Sequence, residues 1–64
     1  MKNKLREIRE KLGISQEELS EKSEVSRTTI SELETGKKEV TTNVTLEKIA
    51  NVLGLKVSDI FFID

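Results

Sequence analysis

A short run of hydroxyl and charged side chains near the middle of the chain offers its richest hydrogen-bonding chemistry. The run comprises Ser26, Arg27, Thr28, Ser31 and Glu32. The planar guanidinium of Arg27 can donate two parallel bonds to O6 and N7 of guanine. Thr28 and Ser31 can donate or accept, and Glu32 can accept from the amino group of cytosine. These side chains predict contact with the base edges of double-stranded DNA, although a solvated surface arginine is the simpler interpretation of Arg27 taken alone.

The same sequence lacks the side chains on which most catalytic and metal sites depend. It contains no His and no Cys, so it has neither the usual neutral-pH general base nor a thiolate nucleophile or zinc ligand. We therefore expect no enzyme, no metal, no cofactor and no small-molecule ligand. The absence of Cys also excludes disulfides as a source of stability.

Length and composition indicate one folded domain spanning residues 1–64. The 64 residues are 34% hydrophobic and 36% charged, which suffices for a single small core and is unlike the composition of disordered chains. Uninterrupted apolar runs are short, as at residues 60–63. A membrane span needs about 20 apolar residues, and no signal-peptide pattern is present. We expect a cytoplasmic protein that does not enter a membrane.

The elements that must hold this run in place are helices separated by glycines. Leu5, Ile8 and Leu12 follow helical spacing, which predicts a first helix over residues 2–12 that ends at Gly13. Ser15 and the acid three residues later have capping-box spacing and predict a second helix over residues 16–23.

The third helix is predicted over residues 27–35, with Ser26 as its N-cap and Gly36 after its end. Only a few residues separate it from the second helix, and this arrangement predicts a helix-turn-helix. The second helix of such a motif enters the major groove of DNA. Val25, Ile30 and Leu33 are expected to face the core.

Two further helices complete the predicted bundle. The polar cluster at residues 41–43 offers an N-cap for a fourth helix. Its apolar stripe is formed by Leu46, Ile49, Ala50 and Leu53. A short fifth helix is predicted over residues 58–61, which gives an all-α five-helix bundle.

Several residues are candidates for contact with the phosphate backbone. Helix N-termini present free backbone N–H groups and a positive dipole end, and the candidates include residues at two such ends. They are Gln16, Ser26, Lys37, Lys38 and Asn43. The net charge of −1 argues against binding to DNA. Three acids of the second helix, at positions 17, 18 and 21, can face away from the duplex and account for that balance.

The segment SQEELSEKSEVSRTTISELETG over residues 15–36 resembles the helix-turn-helix of the phage repressor and Cro family. The preceding LGI at residues 12–14 and the later L-x-x-I-A-x-x-L-G at residues 46–54 extend the resemblance over almost the whole chain. It implies a lambda-repressor-like fold and operator recognition by the third helix. It also implies a transcriptional regulator, expected to be a repressor that binds palindromic operators as a homodimer.

The resemblance also assigns roles to individual positions. It implies that Gln16 is the helix-capping glutamine, that Arg27, Thr28 and Glu32 are base readers, and that a buried ion pair joins Arg9 to Glu34. An exposed pair, worth little, is the alternative for Arg9 and Glu34.

The chain departs from the family pattern at three places. Ser20 replaces a frequent Ala. Glu24 replaces a frequent turn Gly, and so is predicted to adopt a positive φ at a cost of about 1 kcal/mol. The loop at residues 37–43 is slightly longer than usual and lacks the common Pro.

The apolar C-terminus and the negative net charge leave open where a dimer interface lies and whether the chain binds DNA or another protein. Val57, Ile60 and Phe62 are candidates for a dimer interface, with closure of the core as the alternative. The competing function is a protein-interaction module such as an antitoxin or antirepressor-like domain. Affinity for duplex that falls steeply with rising salt would favour DNA binding over that alternative.

Overall fold

A computed structural model describes residues 2–36 and 42–62 of the chain, and within them it has five helices and two very short strands. The helices are α1 (Leu5–Lys11), α2 (Gln16–Ser23), α3 (Arg27–Thr35), α4 (Asn43–Leu53) and α5 (Val57–Ile60); the strands are β1 (Lys2–Asn3) and β2 (Phe61–Phe62). The prediction of an all-α five-helix fold is confirmed, and the bounds of α2 and α3 agree with those expected from the sequence.

Side-chain caps determine where the three central helices begin. The hydroxyl oxygens of Ser15, Ser26 and Thr42 accept bonds from backbone N–H groups three residues later, over 3.0, 3.1 and 3.2 Å. Each bond satisfies a donor that would otherwise have no partner in the first turn. The caps at Ser15 and Ser26 are those that the sequence predicts, and Thr42 is the member of the 41–43 cluster that caps α4.

The two ends of the described chain differ from the sequence prediction. Lys2 and Asn3 do not begin the first helix; they pair antiparallel with Phe62 and Phe61, respectively. Lys4 then donates its backbone N–H to the carbonyl of Ile60 over 2.9 Å. The first helix therefore begins at Leu5, and the fifth ends before Phe61, because these residues satisfy their backbone groups across the sheet instead of along a helix.

The core receives a fully buried side chain from every helix. Leu5, Leu19, Ile30, Ile49 and Ile60 each have a relative exposure of 0% and lie on α1 to α5 in turn. Burial of one such side chain is worth roughly 1.5–3 kcal/mol. The helices thus share one core, in which α2 packs against both α3 and α4, and α1 packs against α3.

Glu24 lies in the turn between α2 and α3 and adopts a left-handed conformation, with φ 60° and ψ 26°. The prediction of a positive φ at this position is confirmed. A side chain in this conformation costs roughly 1–2 kcal/mol, because its Cβ approaches the following carbonyl oxygen. The chain keeps the tight turn of the motif even though the residue there is not glycine.

Candidate nucleic-acid interface

Helix α3 has one face in the core and the opposite face in solvent. Ile30 and Leu33 are buried, whereas Arg27, Thr28 and Thr35 are exposed. Ser31 and Glu32 lie between these extremes. This distribution follows the helical period of 3.6 residues. Helix α3 therefore presents a polar strip of hydroxyl and charged side chains along its outer side.

A shallow open groove follows this polar strip and extends to the first residue of α2. Its lining residues, which we call the recognition surface, are Gln16, Arg27, Thr28, Ser31, Glu32 and Thr35. All four side chains that the sequence predicts as base contacts lie on this surface, together with one predicted phosphate contact, Gln16. The structure thus brings together residues from both helices of the motif.

Thr35 is the member of the recognition surface that the sequence analysis missed. The predicted base contacts were confined to residues 27–32, because groove-reading helices usually contact bases with their N-terminal part. The signal was available, because Thr35 follows Ser31 by four residues and therefore shares its face. Its hydroxyl donates to the carbonyl of Ser31 over 3.1 Å.

The N-terminus of α3 already uses its capping hydroxyl within the protein. The oxygen of Ser26 accepts from the N–H of Thr29, and its proton is donated to the hydroxyl oxygen of Thr29 over 2.8 Å. An anion at this end would therefore meet the free backbone N–H groups of the first turn rather than the Ser26 proton.

A buried ion pair fixes the other end of α3. Nε and Nη2 of Arg9 donate to Oε2 and Oε1 of Glu34 over 2.7 and 3.2 Å. The two side chains are 11% and 3% exposed, so this is not the exposed pair that the sequence left as an alternative. Nη1 of Arg9 also donates to the carbonyl of Ile14 over 2.8 Å. The pair joins α1 and the turn after it to α3, as the family resemblance implies.

The hydrogen bond to Glu34, opposed in part by burial, raises the pKa of Arg9 above its ordinary value. A raised pKa contributes stability that is fully present below the unfolded value and is lost only as the pH rises through the folded value. The contribution of Arg9 is therefore constant over the neutral range.

Gln16 connects the ion pair to the recognition surface. Its side-chain Nε2 donates to Oε1 of Glu34 over 3.1 Å. One of the two amide protons is used in this bond, and no hydrogen bond within residues 2–36 and 42–62 uses the other. The side chain predicted to contact phosphate is thus held in position by a buried carboxylate.

The remaining predicted phosphate contacts lie away from this groove or outside the described residues. Asn43 is exposed at the first position of α4 and does not line the recognition surface. Lys37 and Lys38 lie outside the residues that the structure describes.

The predicted dimer residues differ in their exposure. Ile60 is 0% exposed and belongs to the core of its own chain, so its place in the predicted interface is wrong, and the alternative of core closure applies to it. Val57 is partly buried against the same core. Phe62 is 37% exposed, and Leu55 nearby in sequence is 36% exposed. Of the three predicted dimer residues, Phe62 therefore keeps the most exposed apolar area, and Leu55 is a further exposed apolar residue in this part of the sequence.

The acids of α2 are separate from the recognition surface. Glu17 and Glu21 are exposed, and Glu18 pairs with Lys22 over 3.2 Å. None of these residues lines the groove. Among residues 2–36 and 42–62, no ion pair neutralises Arg27. The negative net charge of the chain therefore does not describe the charge of this surface.

In residues 2–36 and 42–62, no group of acidic side chains is placed to hold a metal ion. No helix there combines the length and the apolar character needed to cross a bilayer.

Comparison with known proteins places these observations in a family. The family described as helix-turn-helix matches residues 5–60. An uncharacterized HTH-type transcriptional regulator of Archaeoglobus fulgidus is 41% identical over 64 residues, which are 100% of this chain and 90% of the relative. The uncharacterized HTH-type transcriptional regulator MJ0272 of Methanocaldococcus jannaschii is 43% identical over 61 residues, covering 95% of this chain and 91% of its own. A third relative, YgzD of Bacillus subtilis, bears the same description and is 36% identical over 64 residues, 100% of this chain and 96% of its own.

Proposed function

Because the chain belongs to the helix-turn-helix family of transcriptional regulators, we propose that it regulates transcription by binding specific sequences in double-stranded DNA. Helix α3 lies in the major groove, which is about 12 Å wide and admits one helix. The observation that carries this proposal is the recognition surface, where the polar face of α3 and the first residue of α2 line one open groove.

Base recognition is assigned to the side chains along α3. Arg27 donates both arms of its guanidinium to O6 and N7 of a guanine. Thr28 and Ser31 bond to neighbouring bases, and Glu32 accepts from a cytosine amino group. The exposure of Arg27 and Thr28, the partial exposure of Ser31 and Glu32, and the absence of the α2 acids from the groove lining support the assignment.

Contacts with the DNA phosphates determine the orientation of α3 in the major groove. The free amide proton of Gln16 and the N–H groups of the turn that Ser26 caps donate to phosphate oxygens. Lys37, Lys38 and Asn43 follow α3 in the chain and supply further phosphate contacts. These contacts add affinity that depends strongly on salt but carries no sequence information.

The proposed assembly is a homodimer that represses by occupying an operator overlapping a promoter. Two copies place their α3 helices in successive major grooves about 34 Å apart, so the operator is a palindrome. Exposed Phe62 and Leu55 offer apolar area for the contact between the copies.

Selection of bound duplexes from a random pool tests the proposal. We expect enrichment of two-fold-symmetric sites, with affinity that falls steeply as salt rises. The Arg27→Ala variant should lose the preference for one guanine in each half-site. If the wild-type chain binds no duplex even at low salt, the proposal is wrong and the protein-interaction alternative is favoured.

A further inference from the structure

The side chain of Asn3 joins the terminal strands to the far end of α3. Its Nδ2 donates to the carbonyl of Leu33 over 3.0 Å, across thirty positions of sequence. Its Oδ1 accepts from the backbone N–H of Leu5, the first residue of α1, over 3.1 Å. The backbone of Asn3 is paired with Phe61 in the sheet. One partly buried amide therefore connects three elements.

Among residues 2–36 and 42–62, the side-chain bonds that other elements make to helix α3 lie near its C-terminal end. In the described chain, side chains of other elements bond to α3 at the carbonyl of Leu33 and at the carboxylate of Glu34. The N-terminal part of the helix, which carries Arg27 and Thr28, has no such bond apart from its own Ser26 cap. Apolar packing of Ile30 and Leu33 holds the helix against the core but is not directional. The directional bonds that fix the angle of α3 therefore lie at the end of the helix opposite Arg27 and Thr28.

A small rotation of α3 at Leu33 produces a large displacement of Arg27 near the N-terminal end of the helix. Arg27 precedes Leu33 by six residues, which is about 9 Å along a helix axis. A rotation of about 10° at Leu33 would displace the backbone of Arg27 by about 1.5 Å. A binding constellation must be held to about 0.5 Å to keep its hydrogen bonds. Base contacts would be lost at a rotation that leaves the core packed.

We propose that Asn3 is a positioning residue for sequence recognition, which sets the angle of α3 through its bond to Leu33 without touching DNA. The inference rests on the proposed function. It predicts that loss of this bond reduces discrimination between the selected duplex and a scrambled one. Binding to any duplex through phosphates tolerates a tilted helix, because it depends on charge rather than on base geometry.

Asn3→Asp is the sharpest variant, because it keeps the size of the side chain and the acceptor for Leu5. The amide donor becomes a carboxylate oxygen that faces the Leu33 carbonyl, so the bond is replaced by repulsion. Asn51→Asp is the matched control: it makes the same chemical change at an exposed position of α4. Both variants and the wild type are titrated with the selected and scrambled duplexes, and the folded fraction is measured by circular dichroism under the same conditions.

For Asn3→Asp, we expect the ratio of selected to scrambled affinity to fall about tenfold, comparable to a single mismatched base pair. The salt dependence of scrambled binding should match that of Asn51→Asp. A merely structural role would lower the folded fraction and weaken both duplexes equally, and that result would overturn the inference. So would an unchanged ratio, which would leave the proposed function intact. If the wild type itself does not distinguish the two duplexes, both the proposed function and this inference are wrong.

Discussion

Among single residues, Arg27 allows hydrogen bonding to a base to be distinguished from attraction by positive charge alone. Arg27→Lys keeps the positive charge but cannot form two parallel bonds to one guanine. We expect a loss of about 1–3 kcal/mol in affinity for the selected duplex, with an unchanged dependence on salt. Fluorescence anisotropy at several salt concentrations measures both quantities.

Arg6→Lys is the control for this substitution, because Arg6 is exposed on α1, pairs only with Glu10 in the described structure, and lies away from the groove. It should leave the affinity unchanged. An equal loss in the two variants, or no loss in Arg27→Lys, would contradict the assignment of Arg27 to a guanine.

The buried ion pair of Arg9 and Glu34 predicts how much stability a single substitution removes. Glu34→Ala would leave the Arg9 guanidinium buried with the carbonyl of Ile14 as its remaining partner, and we expect a loss of about 3–5 kcal/mol in the free energy of unfolding. Urea denaturation measures it. Glu10→Ala, which breaks the exposed pair with Arg6, should cost only about 0–1 kcal/mol. Similar losses in the two variants would mean that the buried pair is no stronger than an exposed one.

At the scale of elements, the turn between α2 and α3 is held in a conformation that suits glycine better than Glu24. Glu24→Gly should raise the free energy of unfolding by about 0.5–1 kcal/mol, because relief of the left-handed strain exceeds the added entropy of the unfolded chain. Thermal and urea denaturation provide the measurement.

The control for Glu24→Gly is Glu21→Gly, which places glycine within α2 at an exposed position. It should destabilise by about 1 kcal/mol. A destabilised Glu24→Gly would show that the Glu24 side chain contributes more than its backbone conformation costs.

The elements that the sequence predicts well are those with local signals. The caps at Ser15 and Ser26 lie within three residues of the N–H groups that they bond, so the starts of α2 and α3 can be read from neighbouring residues. The pairing of Asn3 with Phe61 joins opposite ends of the chain, and no sequence pattern near either residue predicts it. For this reason the first helix was predicted to begin too early.

Across the whole molecule, some features of the candidate site can be predicted from local sequence, and others depend on contacts between distant residues. Helical spacing predicts that Arg27, Thr28 and Ser31 face outward, since Ile30 and Leu33 must face the core. The bond between Gln16 and Glu34, and that between Asn3 and Leu33, depend on how helices pack in three dimensions. The sequence likewise predicted both Ile60 and Phe62 as dimer contacts, and only the packing of α5 and β2 separates the buried residue from the exposed one.

Because Phe62 is exposed whereas Ile60 is buried, the proposed homodimer can be tested at Phe62. Its side chain is 37% exposed on β2, and Phe62→Ser removes apolar area while leaving the backbone able to pair. If the copies meet there, sedimentation equilibrium should show the dimer dissociation constant raised at least about tenfold, since buried apolar surface is worth roughly 25 cal/mol per Å² and each copy loses the exposed part of one Phe62 side chain. Affinity for a two-half-site duplex should fall with it, whereas affinity for an isolated half-site should not.

Val44→Ser is the matched control, because Val44 is a 61% exposed apolar residue on α4, far in sequence from the C-terminal strand. It should leave both the dimer and the DNA affinities unchanged. A dimer that persists in Phe62→Ser would place the contact elsewhere on the chain. A wild-type chain that stays monomeric both free and on the selected duplex would contradict the homodimer, because paired recognition helices gain their joint affinity only when the copies are physically linked.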